Sequence, residues 1–161
     1  MTRTKPLTLL LLGALGVATL WFVETALAAS GRPVVIPPLT LAVALVLIGV
    51  IIVVMAVPVR RVARGDRTAR VDPFYATRVV MLAKASALGG ALLGGAGLGI
   101  VGYLLSRSVL PAVGSVTMAV AAAIGAILLL VAGLVAEHMC TIPPDDDEHK
   151  RDGTPDPRSI T

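Results

Sequence analysis

The stretch from Leu39 to Val57, LTLAVALVLIGVIIVVMAV, decides the fold because it holds nineteen consecutive residues without a charge. Pro37 and Pro38 precede it, and Pro58 follows it. A helix of this length covers about 28 Å, close to the hydrocarbon thickness of a bilayer. A single segment can cross a bilayer only as a helix, because its backbone polar groups are then satisfied internally. The stretch therefore predicts a membrane-spanning helix.

One further apolar stretch precedes this one, and two follow it. The chain has 161 residues, of which 56% are hydrophobic and 15% charged, whereas soluble domains carry about 25% charged residues. So little polar surface excludes a soluble enzyme, a nucleic-acid-binding module and a disordered chain. The sequence predicts an all-α fold, an integral membrane four-helix bundle over residues 1–142. We expect its spans at about 7–28, 39–57, 77–105 and 112–136.

Basic residues are distributed unevenly between the predicted connections. Of the 14 Lys and Arg residues, only Arg32 and Arg107 lie in the two connections on one side of the membrane. The connection at 58–72 holds Arg60, Arg61, Arg64, Arg67 and Arg70. Because basic flanks stay on the cytoplasmic side, both termini and this Arg-rich loop are predicted to be cytoplasmic. The net charge of +4 therefore reflects topology and does not indicate a nucleic-acid partner.

The first span admits a second interpretation. Arg3 and Lys5, followed by an apolar run that ends at residues 26–28, resemble a secretory signal peptide with a small-residue cleavage site. The apolar run at 7–23 is longer than the usual signal-peptide core of about 7–15 residues. We expect the span to be retained, and cleavage stays open as the alternative.

The third span begins with Asp72 and Pro73, a typical N-cap followed by proline at the first helical position. At about 100° per residue, its small residues fall on two opposite faces. One face holds Ser86, Gly90, Gly94 and Gly97, and the other holds Gly95, Gly99 and Gly102. Small residues let helices approach closely in lipid, so we expect this helix to lie between two neighbours. The fourth span offers a matching surface at Ala119, Ala122, Ala123, Gly125 and Ala126.

Glu24 is the only acidic residue within an apolar run. Ionisable residues in membrane segments are candidates for function, and small four-helix multidrug exporters also use a glutamate of their first helix. Glu24 differs because it lies near the outer end of its span, beside Trp21 and Phe22. Two roles remain open, an interfacial position and a proton-coupled transport site. We do not expect Glu24 to pair with Lys84, which belongs near the opposite surface.

Polar residues also close the fourth span at the cytoplasmic side. Glu137 lies at a depth similar to that of Arg78 and Lys84, so we expect it to form an ion pair with one of them. The one cysteine, Cys140, cannot form an intrachain disulfide.

The residues after the fourth span do not complete a recognisable chemical site. His138, Cys140 and the acidic run at 145–148 match no known metal-site spacing, so neither a metal nor another cofactor is expected. Residues 143–161 are charged and rich in proline, which predicts a disordered cytoplasmic tail.

Several short motifs support a family resemblance over about residues 4–144. They are Thr4-x-Pro6, Asp72-Pro73, Ala76-x-Arg78, Leu82-Ala83-Lys84-Ala85-Ser86-Ala87-Leu88-x-Gly90-Ala91 and Glu137-x-x-Cys140-x-Ile142-Pro143-Pro144. The chain resembles an actinobacterial membrane-protein family known as domain of unknown function 3180. The resemblance implies a multi-pass plasma-membrane protein without an established activity or cofactor. It also groups four polar motif residues as an inner-surface polar cluster, namely Arg78, Lys84, Glu137 and Cys140.

The sequence favours a non-enzymatic accessory or scaffold protein of the plasma membrane. No nucleophile–base set, phosphate-binding loop or carboxylate pair points to an enzyme. The expected partners are anionic lipids of the inner leaflet, a membrane or cytosolic protein, and a second copy of the chain. The alternative is a subunit of a small oligomeric transporter that uses Glu24.

Overall fold

A computed structural model describes residues 6–63, 72–107 and 113–140. They form four helices, which are α1 Pro6–Ala29, α2 Leu39–Ala63, α3 Pro73–Ser106 and α4 Val113–Cys140. Each helix is long and apolar enough to span a membrane, and the described ranges contain no strand. The predicted all-α membrane fold is confirmed. The predicted tail at 143–161 lies outside the described residues.

The helix α2 extends beyond its predicted end. It continues through Pro58 to Ala63, so Arg60 and Arg61 lie in its last turn and not in a loop. Proline removes one backbone hydrogen bond, but Val59 beyond it is buried in the core and holds this turn in place. Basic side chains also suit the negative end of the helix dipole. The other arginines of the predicted loop, Arg64, Arg67 and Arg70, lie outside the described residues.

The helix α3 begins at the predicted cap. The Phe74 amide donates a hydrogen bond to Asp72 Oδ1 at 2.9 Å, and Pro73 occupies the first turn, where its missing N–H costs nothing. The 34 residues of α3 make it the longest of the four described helices, about 51 Å at the standard rise. This length lets α3 carry a neighbour on each side over many turns.

The four helices pack around α3 in an uneven way. α4 and α1 lie against it, and α2 packs mainly on α4 with a smaller contact on α3. Among the described helices, α1 packs against α3 alone. α2, α3 and α4 enclose the main core cluster, formed by Leu45, Ile52, Ala56, Val59, Val79, Ala83, Ala126, Leu129 and Ala136. The fold is therefore a three-helix unit with α1 attached to one side.

The two ends of this bundle differ in charge. We call the end that holds Arg60, Arg61 and Arg78 the basic end, and the opposite end, which holds Glu24 and Arg107, the Glu24 end. Successive contacts of α1 with α3 advance in the same direction along both helices, so these two helices run parallel. The contacts of α4 with α3 advance in opposite directions, so α4 is antiparallel to α3.

The glycines of α3 contact two different neighbours. A β-carbon added at Gly90 would lie 2.6 Å from the Leu130 nitrogen of α4, and one at Gly97 would lie 2.9 Å from the Ala123 β-carbon. On the other side, a β-carbon at Gly95 would overlap the Gly13 carbonyl oxygen of α1. The rest of the pattern agrees, with Gly94 facing α4 and with Gly99 and Gly102 facing α1. The helix thus lies between two neighbours, as its sequence predicts.

One residue of the predicted α4 surface has a different neighbour. Gly125 faces Ala42 of α2, and a β-carbon there would lie 3.0 Å from the Ala42 carbonyl oxygen. Ala123 and Ala126 do contact α3. The small residues of α4 therefore serve two interfaces, because α4 lies between α2 and α3.

The packing of α1 bears on the two interpretations of the first span. Gly16 of α1 lies so close to α3 that an added β-carbon would be 2.9 Å from the Ala96 nitrogen. Removal of α1 would expose the glycine face of α3 to lipid without a partner helix. Retention of α1 in the mature protein stays a prediction.

The glycine contacts predict that Gly95→Ala will loosen α1 specifically. The added methyl group must push the Gly13 backbone away, and such overpacking costs about 1–3 kcal/mol. Trp21, the only tryptophan, lies at the same interface, so its fluorescence emission in detergent should change as α1 moves.

Gly89→Ala provides the matched control. A β-carbon at Gly89 has no neighbour within 4 Å, so this variant should not destabilise the protein and should leave the emission unchanged. The gain of about 0.5–1 kcal/mol in helix propensity on replacing glycine with alanine is common to both variants. Equal effects of the two variants on unfolding and emission would contradict the proposed role of the interface.

Candidate functional site

The last turn of α1 reverses the chain direction sharply. The Arg32 amide donates to the Leu27 carbonyl at 3.0 Å, and the Gly31 amide donates to the Ala28 carbonyl at 3.1 Å. Gly31 has a φ angle of 69°, which favours a residue without a β-carbon. These bonds form a Schellman cap, which satisfies the carbonyl groups at the helix end. The cap turns the following segment back towards α1.

Glu24 lies beneath this returning segment. The Val35 amide donates a hydrogen bond to Glu24 Oε1 at 3.2 Å. Glu24 is 0% exposed, and it is the only charged residue that is buried in the described part of the chain. Its second oxygen, Oε2, has no hydrogen-bond partner among the described residues. A buried carboxyl group therefore ties α1 to the connection that leads to α2.

Apolar and aromatic side chains surround this end of the bundle. Ile100, Leu104 and Ala119 form a small buried cluster, and Leu20 and Val34 pack against it. Leu20 lies about one helical turn before Glu24, and Val34 is next to Val35 in the chain. The cluster therefore fixes the two segments that the hydrogen bond between Glu24 and Val35 joins. Removing water from a carboxyl group is costly unless the group is neutral or well paired.

Trp21 marks the contact of α1 with the last turns of α3. Its ring meets Tyr103 edge to face, with ring centroids 6.0 Å apart. Gly102 makes room, since a β-carbon there would lie 3.3 Å from the Trp21 ring. The Arg107 guanidinium lies over the Tyr103 ring at 5.8 Å, within the range of a cation–π interaction. Arg107 is thus held on an aromatic face.

The structure refines the sequence-based view of Glu24. Glu24 is five residues before the end of α1, and its position near the outer membrane surface stays a prediction. Its complete burial and the Val35 hydrogen bond were not predicted. Trp21, about one helical turn before Glu24, contacts Gly102 of α3. Lys84 precedes Gly102 in α3 by roughly 27 Å along the helix axis at the standard helical rise. Glu24 and Lys84 therefore lie near opposite ends of the bundle, as expected.

The inner-surface polar cluster lies at the basic end. Cys140 is half-buried and packs against the main core, close to the ends of α2 and α4. Lys84 and Glu137 are also half-buried, whereas Arg78 is exposed. These environments separate Arg78 from the other members of the cluster.

The register of α3 and α4 brings Lys84 and Glu137 to similar depths. A β-carbon at Gly133 would lie 2.8 Å from the Ala83 carbonyl oxygen and 2.6 Å from the Ala87 nitrogen. Glu137 is one turn from Gly133 on the same face of α4, in the direction of the basic end. It therefore lies about level with Met81, within one helical turn of both Lys84 and Arg78.

Ser86 is half-buried on α3, on the helix turn before Gly90. Within 6–63, 72–107 and 113–140, no group of three His, Cys, Asp or Glu side chains could hold a metal ion. The acidic run at 145–148 lies outside these ranges.

One family comparison gives a match. A family model described as "Protein of unknown function (DUF3180)" matches residues 8–144, which include α2, α3, α4 and all of α1 except its first two residues. This match confirms the resemblance seen in the motifs. No curated protein and no solved structure matches the chain.

Because Lys84 and Glu137 are both half-buried and Arg78 is exposed, we expect Glu137 to interact with Lys84 and not with Arg78. A double-mutant cycle with Lys84→Met and Glu137→Gln should give a coupling energy of about 0.5–3 kcal/mol in detergent unfolding experiments. The matched cycle with Arg78→Met and Glu137→Gln should give a coupling energy near zero. Stronger coupling in the Arg78 cycle would contradict the expected ion pair.

Proposed function

The chain belongs to the DUF3180 family, and we propose that it is a non-enzymatic accessory or scaffold protein of the plasma membrane of an actinobacterial cell. It crosses the membrane four times, with both termini and the basic end in the cytoplasm. The basic end binds anionic lipids of the inner leaflet and docks a membrane or cytosolic protein.

The closed packing around α3 carries this proposal. Backbone atoms of α1 and α4 reach the glycines of α3 on both sides, at Gly95 and at Gly90. At these positions the contacts leave no room for a solute between α3 and either neighbour. The sequence also places no charged residue within 85–106 or 113–136, the spanning parts of α3 and α4. Such a core supports a static scaffold better than a pathway for polar solutes.

The basic end offers the chemistry for a partner. Arg60 and Arg61 end α2, and Arg78 is exposed on α3. Phe74 is 77% exposed in the first turn of α3, where an aromatic ring suits the membrane interface. A basic residue near an anionic leaflet contributes about 1 kcal/mol to membrane binding. Charge and an exposed ring at the same end favour a partner on this side.

Photo-crosslinking at matched phenylalanines tests the scaffold role. We expect benzoylphenylalanine at position 74 to give a discrete protein adduct in cells, which Arg60→Glu combined with Arg78→Glu abolishes. Phe22 is similarly exposed at 74%, but it lies near the Glu24 end and should give no protein adduct. A protein adduct that appears at position 22 but not at position 74 would contradict the role of the basic end, and absence of any adduct would overturn the scaffold proposal.

The orientation is checked by the same cells in a Cys140→Ser background. A membrane-impermeant maleimide should label Arg32→Cys on intact cells and Arg61→Cys only after permeabilisation. The reverse labelling pattern would overturn the proposed orientation.

Complete burial of Glu24 favours one second candidate, a subunit of a small oligomeric transporter. In that case proteoliposomes should show a proton or solute flux that Glu24→Gln abolishes. The scaffold proposal predicts no such flux, with wild-type and Glu24→Gln proteins folding equally well. The flux measurement therefore separates the two functions.

A further inference from the structure

We propose that Glu24 is a reversible proton-binding site, and that its protonated form holds residues 32–38 over the end of α1. The ligand is a proton from the aqueous side of the Glu24 end. This role goes beyond the scaffold function and does not depend on it. It also differs from transport, because a proton that is bound and released on the same side of the membrane does not cross it.

The two oxygens of Glu24 have different environments, which suits a neutral carboxyl group. Oε1 accepts the Val35 N–H at 3.2 Å, as the carbonyl oxygen of a carboxylic acid would. Oε2 is buried and has no hydrogen-bond partner among the described residues, so it is the position for the acidic proton. A buried hydroxyl costs far less free energy than a buried and unpaired negative charge. The side chain is therefore accommodated with its proton on.

The charged and titratable neighbours of Glu24 are few. The returning segment contributes Arg32, which is exposed beyond the Schellman cap. The facing end of α3 contributes Tyr103 and Arg107, and the Arg107 guanidinium lies over the Tyr103 ring. The first turns of α4, at 113–120, and of α2, at 39–45, hold no titratable residue. Neither arginine donates a hydrogen bond to Oε2.

Loss of the proton gives the site two states. The carboxylic acid releases H⁺ to water on this side and becomes a carboxylate, with no other bond formed or broken. A carboxylate needs hydration, so it must leave its buried position or admit water between α1 and the returning segment. Departure of the side chain breaks its hydrogen bond with the Val35 amide, and water that enters competes with that amide for the carboxylate oxygens and separates the two segments. Residues 32–38 are then released, while the glycine contacts of α1 with α3 remain.

Carbodiimide labelling tests the protonation state directly. Dicyclohexylcarbodiimide is an apolar reagent that modifies protonated carboxyl groups in apolar surroundings. We expect one adduct on Glu24 in the purified protein at neutral pH, and loss of this adduct as the pH is raised. Glu24→Gln should abolish labelling, whereas Glu137→Gln should leave it unchanged. An unlabelled wild-type protein at neutral pH would overturn the proposal.

Hydrogen exchange of the amides at 34–36 tests the coupling to the returning segment. Exchange is corrected for the intrinsic pH dependence of amide exchange. Protection in the wild-type protein should fall about tenfold on raising the pH, the factor expected when one hydrogen bond is lost. Glu24→Gln keeps an acceptor oxygen and cannot ionise, so it should stay protected at every pH. Glu24→Ala should be unprotected at every pH.

Trp21 fluorescence provides the folding control for these variants, because it reports whether α1 remains on α3. If the protection of the wild-type and Glu24→Gln proteins shows the same pH dependence, Glu24 does not control the segment and the proposal is wrong. Proton flux into proteoliposomes is measured separately. A flux would contradict the scaffold function, whereas an equal pH dependence of protection would contradict the proton site, so the two failures are distinguishable.

Discussion

Close contact between glycine backbones is the interaction on which the whole arrangement depends. In lipid, burial of apolar side chains provides little attraction between helices, so packing of atoms must hold them together. α3 provides this packing on two faces, with Gly95 against α1 and Gly90 against α4. Bulky side chains on either face would hold the neighbours apart. The position of every other helix follows from how it reaches α3 or α4.

Much of this arrangement is readable in the sequence because it depends on local patterns. The lengths of the apolar runs give the four helices, and Asp72 with Pro73 gives the start of α3. The helical period assigns the α3 glycines to two faces. The assignment of Gly125 to α3 was wrong because a small residue on α4 does not indicate which of two neighbours it will meet.

The features that the sequence did not reveal depend on tertiary contacts. Continuation of α2 through Pro58 depends on burial of Val59 in a core that three helices build together. Burial of Glu24 depends on a reversal at Gly31 that brings Val35 back to the helix. A glutamate near a helix end reads as interfacial when its own helix is considered alone. The returning segment, residues 32–38, follows Glu24 in the chain. Its length can be read from the sequence, but its path cannot.

The attachment of α1 to α3 alone has a consequence for how the protein is made. α1 leaves the ribosome before the other three described helices, yet the next helix in the chain offers it no surface. It must wait in the bilayer as a single helix until α3 has been inserted. Neighbours in sequence usually become neighbours in space, and here the first pair is an exception. Docking of α1 is therefore delayed until two further helices, α2 and α3, have been synthesised.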